Sequence, residues 1–438
     1  MAPSGAVPLP GSRRKRRKRT TASASAASRP PKETDMKPWA FLLLACLLAA
    51  DWPQFLGPQR NGVSAESGIL TAWPAAGPKV LWQRPVGAGF SGPAVAGDRL
   101  VLFHRLNDEE VVECLDAATG KQLWKHAYPT HYRDSFGFDE GPRCTPTISG
   151  KVVVTLGADG HLLCLELASG TRLWELNVNE KYQVKKGFFG VSCSPIVEGN
   201  LVCVNVGGAD AGIVAFDLVS GKEVWRATDH EASNASPVAA TIHGQRHLVF
   251  FTREGLVSLD PASGKVRFSR RWRPRINASV NAATPLVIGD RIFVSTSYDT
   301  GGLLIKVRPD GIDDIWKGED VLTNHYNTSV PAHGLLFGIH GRQEYGPELR
   351  CVEMETQKVR WRKERFGCAS LILVGEHVLA LTEKGELVLF AASADAYQEL
   401  ARAKVLGDSL RAHPAFANGR LFARDGKKLI CLDLRPAK

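Results

Sequence analysis

The chain has 438 residues, 44% of them hydrophobic, and a formal net charge of +10. That length supports a large core, and 42 Gly with 25 Pro favour many turns over long helices. The charge is local: residues 1–35 hold nine Lys/Arg against two Asp/Glu, so +10 less +7, less one for Lys37, leaves about +2 for residues 51–438, and no basic nucleic-acid face follows from composition.

Residues 1–35 are rich in Ser, Ala, Pro and Arg, include the run RRKRRKR (Arg13–Arg19), and read as a disordered basic extension. Met36 then opens MKPWAFLLLACLLAADW, with a lysine followed by the apolar stretch Trp39–Ala50. That stretch is too short to span a bilayer and suits a secretory h-region, so residues 36–50 read as a signal peptide. Met36 is then the expected start, and residues 1–35 a start-site artefact. The competing reading is a genuine nucleic-acid or nuclear-localisation arm. Cys46 sits in a faint lipoprotein-like context, which the apolar Leu47-Leu48 opposes. The mature chain is expected to be exported, periplasmic or extracellular, monomeric, and without a transmembrane helix.

A lead-in segment, 51–78, begins DWPQFLGPQRNGVS. KVLWQRPV (79–86) reads as a strand carrying Trp82. Downstream, LDAATGKQLW (115–124), LELASGTRLW (165–174), FDLVSGKEVW (216–225) and LDPASGKVRF (259–268) repeat, with weaker copies at 307–316 and 352–361. The aromatic anchors are Trp124, Trp174, Trp225, Phe268, Trp316 and Trp361, spaced 43–51 residues apart. A period near that length marks a propeller. Eight small-x-Pro segments precede these units, from SGPAVAG (91–97) to AHPAFAN (412–418), with Leu371 replacing Pro in one. A small residue in one slot of every repeat predicts inner strands converging on an axis, with Pro tolerated at the strand start. Between the markers lie hairpins such as KVVVTLGADGHLLCLEL (151–167). The last repeat lacks an outer strand, and residues 79–86 are expected to supply it. The fold class is therefore all-β: an eight-bladed propeller of four-stranded antiparallel blades over 79–438, closed by an N-terminal strand.

With these repeats in view, the chain resembles the PQQ-like (quinoprotein alcohol dehydrogenase-like) β-propeller family over about residues 51–438. The lead-in resembles that of secreted bacterial, planctomycete-type members. The resemblance implies one of two behaviours: a periplasmic quinoprotein dehydrogenase, or a non-catalytic propeller related to the lipoprotein of the outer-membrane barrel assembly machine. In the dehydrogenases it implies an adjacent Cys-Cys disulfide, a Ca²⁺ site of Glu, Asn and Asp, and an Asp base. No Cys-Cys pair occurs in this chain. Cys144 and Cys193 fill the small inner-strand slot, and Cys114, Cys164, Cys351 and Cys431 share one strand position. Register of that kind favours packing over disulfides or metal ligation. The TGK and SGK turns lack a phosphate loop's preceding glycines.

The expected function is thus a non-catalytic, protein- or polymer-binding platform in the cell envelope, with no cofactor, no metal, no catalytic residue and no nucleic acid. A PQQ-dependent oxidoreductase with Ca²⁺ and a sugar-binding propeller are the alternatives. Candidate binding residues lie on the loops from outer to inner strands, around the axial mouth. They are His131, Tyr132, Arg133, Asp134, Arg143, Lys185, Lys186, Arg273, Arg275, Asn281, His325 and Asn327. Their cations suit an anion, such as an acidic peptide or carboxylated sugar; the plainer alternative is solvated loops with local salt bridges. FGFDEG (136–141) and KGFFG (186–190) are expected to expose aromatic rings for partner contacts.

Overall fold

The computed structural model describes residues 51–184, 189–277 and 279–436. The expectations for residues 1–50, and for Lys185 and Lys186, lie outside the described residues. Eight sheets make up the described residues, seven of four antiparallel strands and one of five, the fifth strand pairing in parallel. Blade 1 runs through Ala94–Ala96, Arg99–Leu106, Glu109–Asp116 and Gln122–Pro129. Blades 2 to 7 repeat this plan, with inner strands starting at Thr147, Ile196, Val238, Leu286, Val330 and Ala369. Blade 8 takes Ala415–Ala417, Arg420–Arg424 and Lys428–Asp433 from the C-terminal end, and Val80–Pro85 from the N-terminal end. Trp82 pairs with Cys431 in that closure, which leaves the ring without a gap. Among the described residues, helix is confined to Val178–Lys181 and a 3₁₀ turn, Gln343–Tyr345.

The middle strands are continuous apolar runs because both faces are covered by neighbouring blades. Glu109–Asp116 buries every residue from Glu110 to Leu115. The outer strand Gln122–Pro129 buries only Trp124 and Tyr128. In all eight blades the register between third and fourth strands shifts at the anchor position. This bulge leaves the residue before each anchor unpaired and turns the anchor toward the next blade. It explains why Leu123, Leu173 and Val224 are exposed although apolar.

Each anchor docks on the next blade's turn. The Trp124 indole N–H donates to the Leu167 carbonyl at 2.8 Å, Trp174 to Leu218 at 2.8 Å, and Trp225 to Pro261 at 2.9 Å. Trp316 reaches Met354 and Trp361 reaches Ser393 likewise. The turn itself is built by its acid: Asp116 accepts from the Thr119 backbone and hydroxyl, and Asp217 and Asp260 repeat this with Ser220 and Ser263. Blade 7 has Ala401 at the anchor position. All eight described cysteines are buried free thiols, and Cys114, Cys164, Cys351 and Cys431 each lie opposite a tryptophan.

Hydroxyls next to the small slot belt the inner strands together. The Gly92 N–H donates to Thr145 at 3.2 Å, Thr145 N–H to Ser194 at 2.9 Å, and Ser194 N–H to Ser236 at 3.0 Å. The lead-in enters this bore. Trp52 bridges Val95 antiparallel, so it runs toward the loop end, whereas Val63–Ser64 joins the innermost strand of blade 7 in parallel and runs back. The reversal at Gln54–Arg60 lies between these passes.

Candidate functional site

The loops from each outer strand to the next inner strand share one face with the second-to-third-strand hairpins. Their longest member, 130–146, is built by its own charges. Asp134 accepts from the Phe138 backbone N–H at 2.6 Å and lies 3.7 Å from Arg143. Arg143 donates to the carbonyls of Asp139 and Gly141. Beneath them, the buried Arg105 donates to the carbonyls of Tyr132 and Glu140 and pairs with Asp108 at 2.9 Å. Arg133 is exposed and reaches Asp108 at 3.4 Å and Glu140 at 3.5 Å. Hydrogen bonds from Arg105 and Arg133 hold the Asp108 carboxyl below the usual carboxylate range. His131 is exposed, while Tyr132 is buried, and burial pushes its hydroxyl up to about 12.

Three aromatic rings lie on top of this loop. Phe136, Phe138 and Phe189 have centroids 5.2 to 6.3 Å apart, and Phe136 and Phe138 are 53% and 50% exposed. Below them, Phe90 lies between two guanidinium groups, Arg143 and Arg411, each 5.4 Å from its centroid. Arg411 also lies 4.8 Å from the Phe138 ring and 5.3 Å from the Tyr326 ring, and 3.5 Å from Glu383. Tyr326 donates its hydroxyl to the same Glu383 carboxylate. Arg411 therefore ties together loops from blades 7, 8, 1 and 5 across the axial mouth.

The other expected residues divide. Arg273 pairs with Glu254 and with Glu231 at 3.7 Å. Arg275 is exposed at its loop tip. Asn281 is buried and donates to the carbonyls of Thr252 and Trp272. Asn327 is also buried. His325 lies between the Tyr298 hydroxyl and Gln343, 2.9 Å from each, and burial holds its pKa down to about 4. The structure thus brings Tyr132, Arg143 and the aromatic rings together, and places Arg273 and Asn281 in separate loop-holding contacts. Of the mouth arginines, Arg133, Arg143 and Arg273 each face carboxylates.

Arg411, Phe90, Tyr326 and Glu383 are absent from the candidates read in the sequence. A signal existed for three of the contacts: Arg411, Phe90 and Arg143 each stand immediately before the small slot in three successive blades.

Beneath the mouth, the lead-in crosses the bore. Arg60 is buried and donates to the carbonyls of Ser194, Pro195 and Pro237, to the Thr147 hydroxyl and to Gln54, so it spans blades 2, 3 and 4. Burial lowers its pKa to about 10. On the far side Gly62 lies against Val330 and Leu371 of blades 6 and 7, where a Cβ would come within 2.7 Å of Val330 Cγ1. His413 packs against Trp52 and Phe55, with centroids 6.3 and 5.7 Å away.

Comparison with known proteins gives a consistent picture of this architecture. The model of a family described as outer membrane protein assembly factor BamB matches residues 107–363. Over 123 residues the chain is 31% identical to quinohemoprotein alcohol dehydrogenase ADH-IIG of Pseudomonas putida. That stretch is 26% of this chain and 16% of the relative, so it spans only about a sixth of the curated protein's length. Among solved structures, quinohemoprotein alcohol dehydrogenase from Comamonas testosteroni superposes with a TM-score of 0.64 at 14% identity, covering 89% of this chain and 81% of the other. BamB from Moraxella catarrhalis superposes with a TM-score of 0.61 at 14% identity, covering 81% and 99%. At such identities the likeness is one of fold.

Proposed function

The chain belongs to the family of the outer membrane protein assembly factor BamB, and from that premise we propose that it is an exported, non-catalytic propeller whose loop face docks envelope partners. One observation carries the reading: Phe136 and Phe138 stand half-exposed beside Phe189, on a loop fixed from below by Arg105 and Arg143. Exposed rings on a rigid support give large contact area at small entropic cost, as protein-binding surfaces require. The signal-like segment at 36–50 supports export, and no helix among the described residues is long and apolar enough to cross a membrane.

A PQQ-dependent oxidoreductase is the competing reading, drawn from the stretch similar to the alcohol dehydrogenase. The residues present fit that cofactor poorly. The bore is crossed by Trp52 and Arg60, and the sequence holds no adjacent Cys-Cys pair. The fold alone does not choose between these readings.

The test is a pull-down from envelope extract with the wild-type chain and with a Phe136→Ala/Phe138→Ala variant, partners being identified by mass spectrometry. Capture of outer-membrane assembly components by the wild type, lost in the folded variant, is the expected result. Quinone absorbance retained after adding PQQ and Ca²⁺, with reduction of an artificial acceptor, would overturn the proposal.

A further inference from the structure

A cleft of about 510 Å³ opens beside the aromatic roof, between the blade 6 hairpin at Gln343 and the blade 7 hairpin at Glu383–Lys384. Its far wall is the blade 7-to-8 loop, with Asp408, Ser409 and Arg411. Opposite charges line it, and their pairing decides what it can bind. Every carboxylate is engaged: Glu383 by Tyr326 and Arg411, Glu386 by Arg402 at 2.9 Å, and Asp408 by Lys404 at 2.5 Å. The donors are not all used. The Lys384 ammonium and the Ser409 hydroxyl have no hydrogen-bond or ion-pair partner among the described residues. Ser409 also holds a left-handed backbone, φ 65°, that points to a loop shaped by its surroundings.

From this imbalance we propose that the cleft receives the side-chain carboxylate of an Asp or Glu in an extended segment of a protein partner. An apolar side chain of the same segment rests on Phe138 and Phe136. The inference rests on the docking-platform reading and adds its chemistry. Arg411 joins the two subsites: it lines the cleft and lies 4.8 Å from the Phe138 ring, so acidic and apolar subsites adjoin. A carboxylate meeting the exposed Lys384 and Ser409 gains charge-assisted hydrogen bonds.

The probe is an array of immobilised dodecapeptides in a Ser/Gly background. Each carries one Phe and one Glu at a different spacing, and a matching set carries Gln for Glu. The whole chain should be retained at one or a few spacings, at least tenfold more strongly than by the Gln counterparts. Lys384→Glu should abolish that preference and Phe138→Ala should weaken retention, whereas Lys121→Glu, on the opposite face, should do neither. Equal retention by Gln peptides, retention unchanged by Lys384→Glu, or no retention at any spacing overturns the inference. Displacement of peptide by an oligogalacturonate at lower concentration than by free peptide also overturns it, in favour of a sugar carboxylate. If envelope partners are captured through Phe136 and Phe138 but ignore Lys384→Glu, the platform stands and this inference alone fails.

Discussion

Trp124 lies flat on Gly170 of the following blade. A Cβ on that glycine would come within 2.5 Å of the indole ring, and its φ of 72° is strained for any other residue. The same relationship joins Trp82 to Gly120, Trp174 to Gly221 and Trp225 to Gly264. Gly170→Ala should therefore cost both strain and displaced packing, about 2–4 kcal/mol. Gly150→Ala is the control, since its φ is 56° but nothing lies within 4 Å of the added carbon. It should cost about 1 kcal/mol. Denaturant midpoints of the two variants make the comparison; equal losses would remove the docking contribution.

Arg60 should behave as a fixing pin for the lead-in. Arg60→Met removes the donors to three buried carbonyls and a hydroxyl. A loss of about 3–5 kcal/mol is expected, since the buried Ser194 and Pro237 carbonyls lose this donor while Pro195 keeps only the Thr147 hydroxyl. Arg60→Lys should recover little, because one ammonium cannot span three blades. Limited proteolysis should then cut first within residues 54–62. A variant as stable and as resistant as wild type would refute this role.

Acid should weaken the fold through buried histidines. Burial holds His413 down to about 4, from an ordinary value of 6.5. Between these values the unfolded chain binds more protons, so stability falls as pH drops through that window. At about 1.4 kcal/mol per pKa unit, His413 alone accounts for about 3–4 kcal/mol over the whole window. His104 and His325, held down to about 3 and about 4, act in the same direction, while Glu110, raised by burial, opposes them. Urea midpoints at pH 7 and pH 4.5 should show a larger loss for wild type than for His413→Gln. Parallel losses would contradict the assignment.

The cysteines should be silent in the native protein. Burial pushes the thiols up, Cys114 and Cys193 to about 11 and Cys164, Cys351 and Cys431 to about 12. A thiol reagent at pH 8, with sites read by peptide mapping, should label none of the eight described cysteines in the folded chain and all eight of them after unfolding, and a reductant should leave the melting temperature unchanged. Rapid native labelling, or a drop in Tm with reductant, would mean that these thiols are not buried packing residues.

Blade count, ring closure by Val80–Pro85, and the Trp and turn positions were legible in the repeats. They are nearest-neighbour relations, and each copy of the motif reports them again. Cys114 opposite Trp124 follows from the same periodicity. The hydroxyls of Thr145, Ser194 and Ser236 carried a readable signal too, but their partners lie one blade away and appear only when inner strands are side by side.

By itself, then, the amino-acid sequence determined the propeller, its closure and the loops on which a site could form. Only the tertiary structure decided what those loops do with their charges. Arg411, on the blade 7-to-8 loop, meets Tyr326 of the blade 5-to-6 loop, 85 residues earlier, because both loops reach into the axial mouth. Arg60 reaches blades 2, 3 and 4 because the lead-in turns inside the bore. Contacts between adjacent repeats recur and leave a pattern in the chain. Contacts across the axis occur once, so they become visible only when the strands converge.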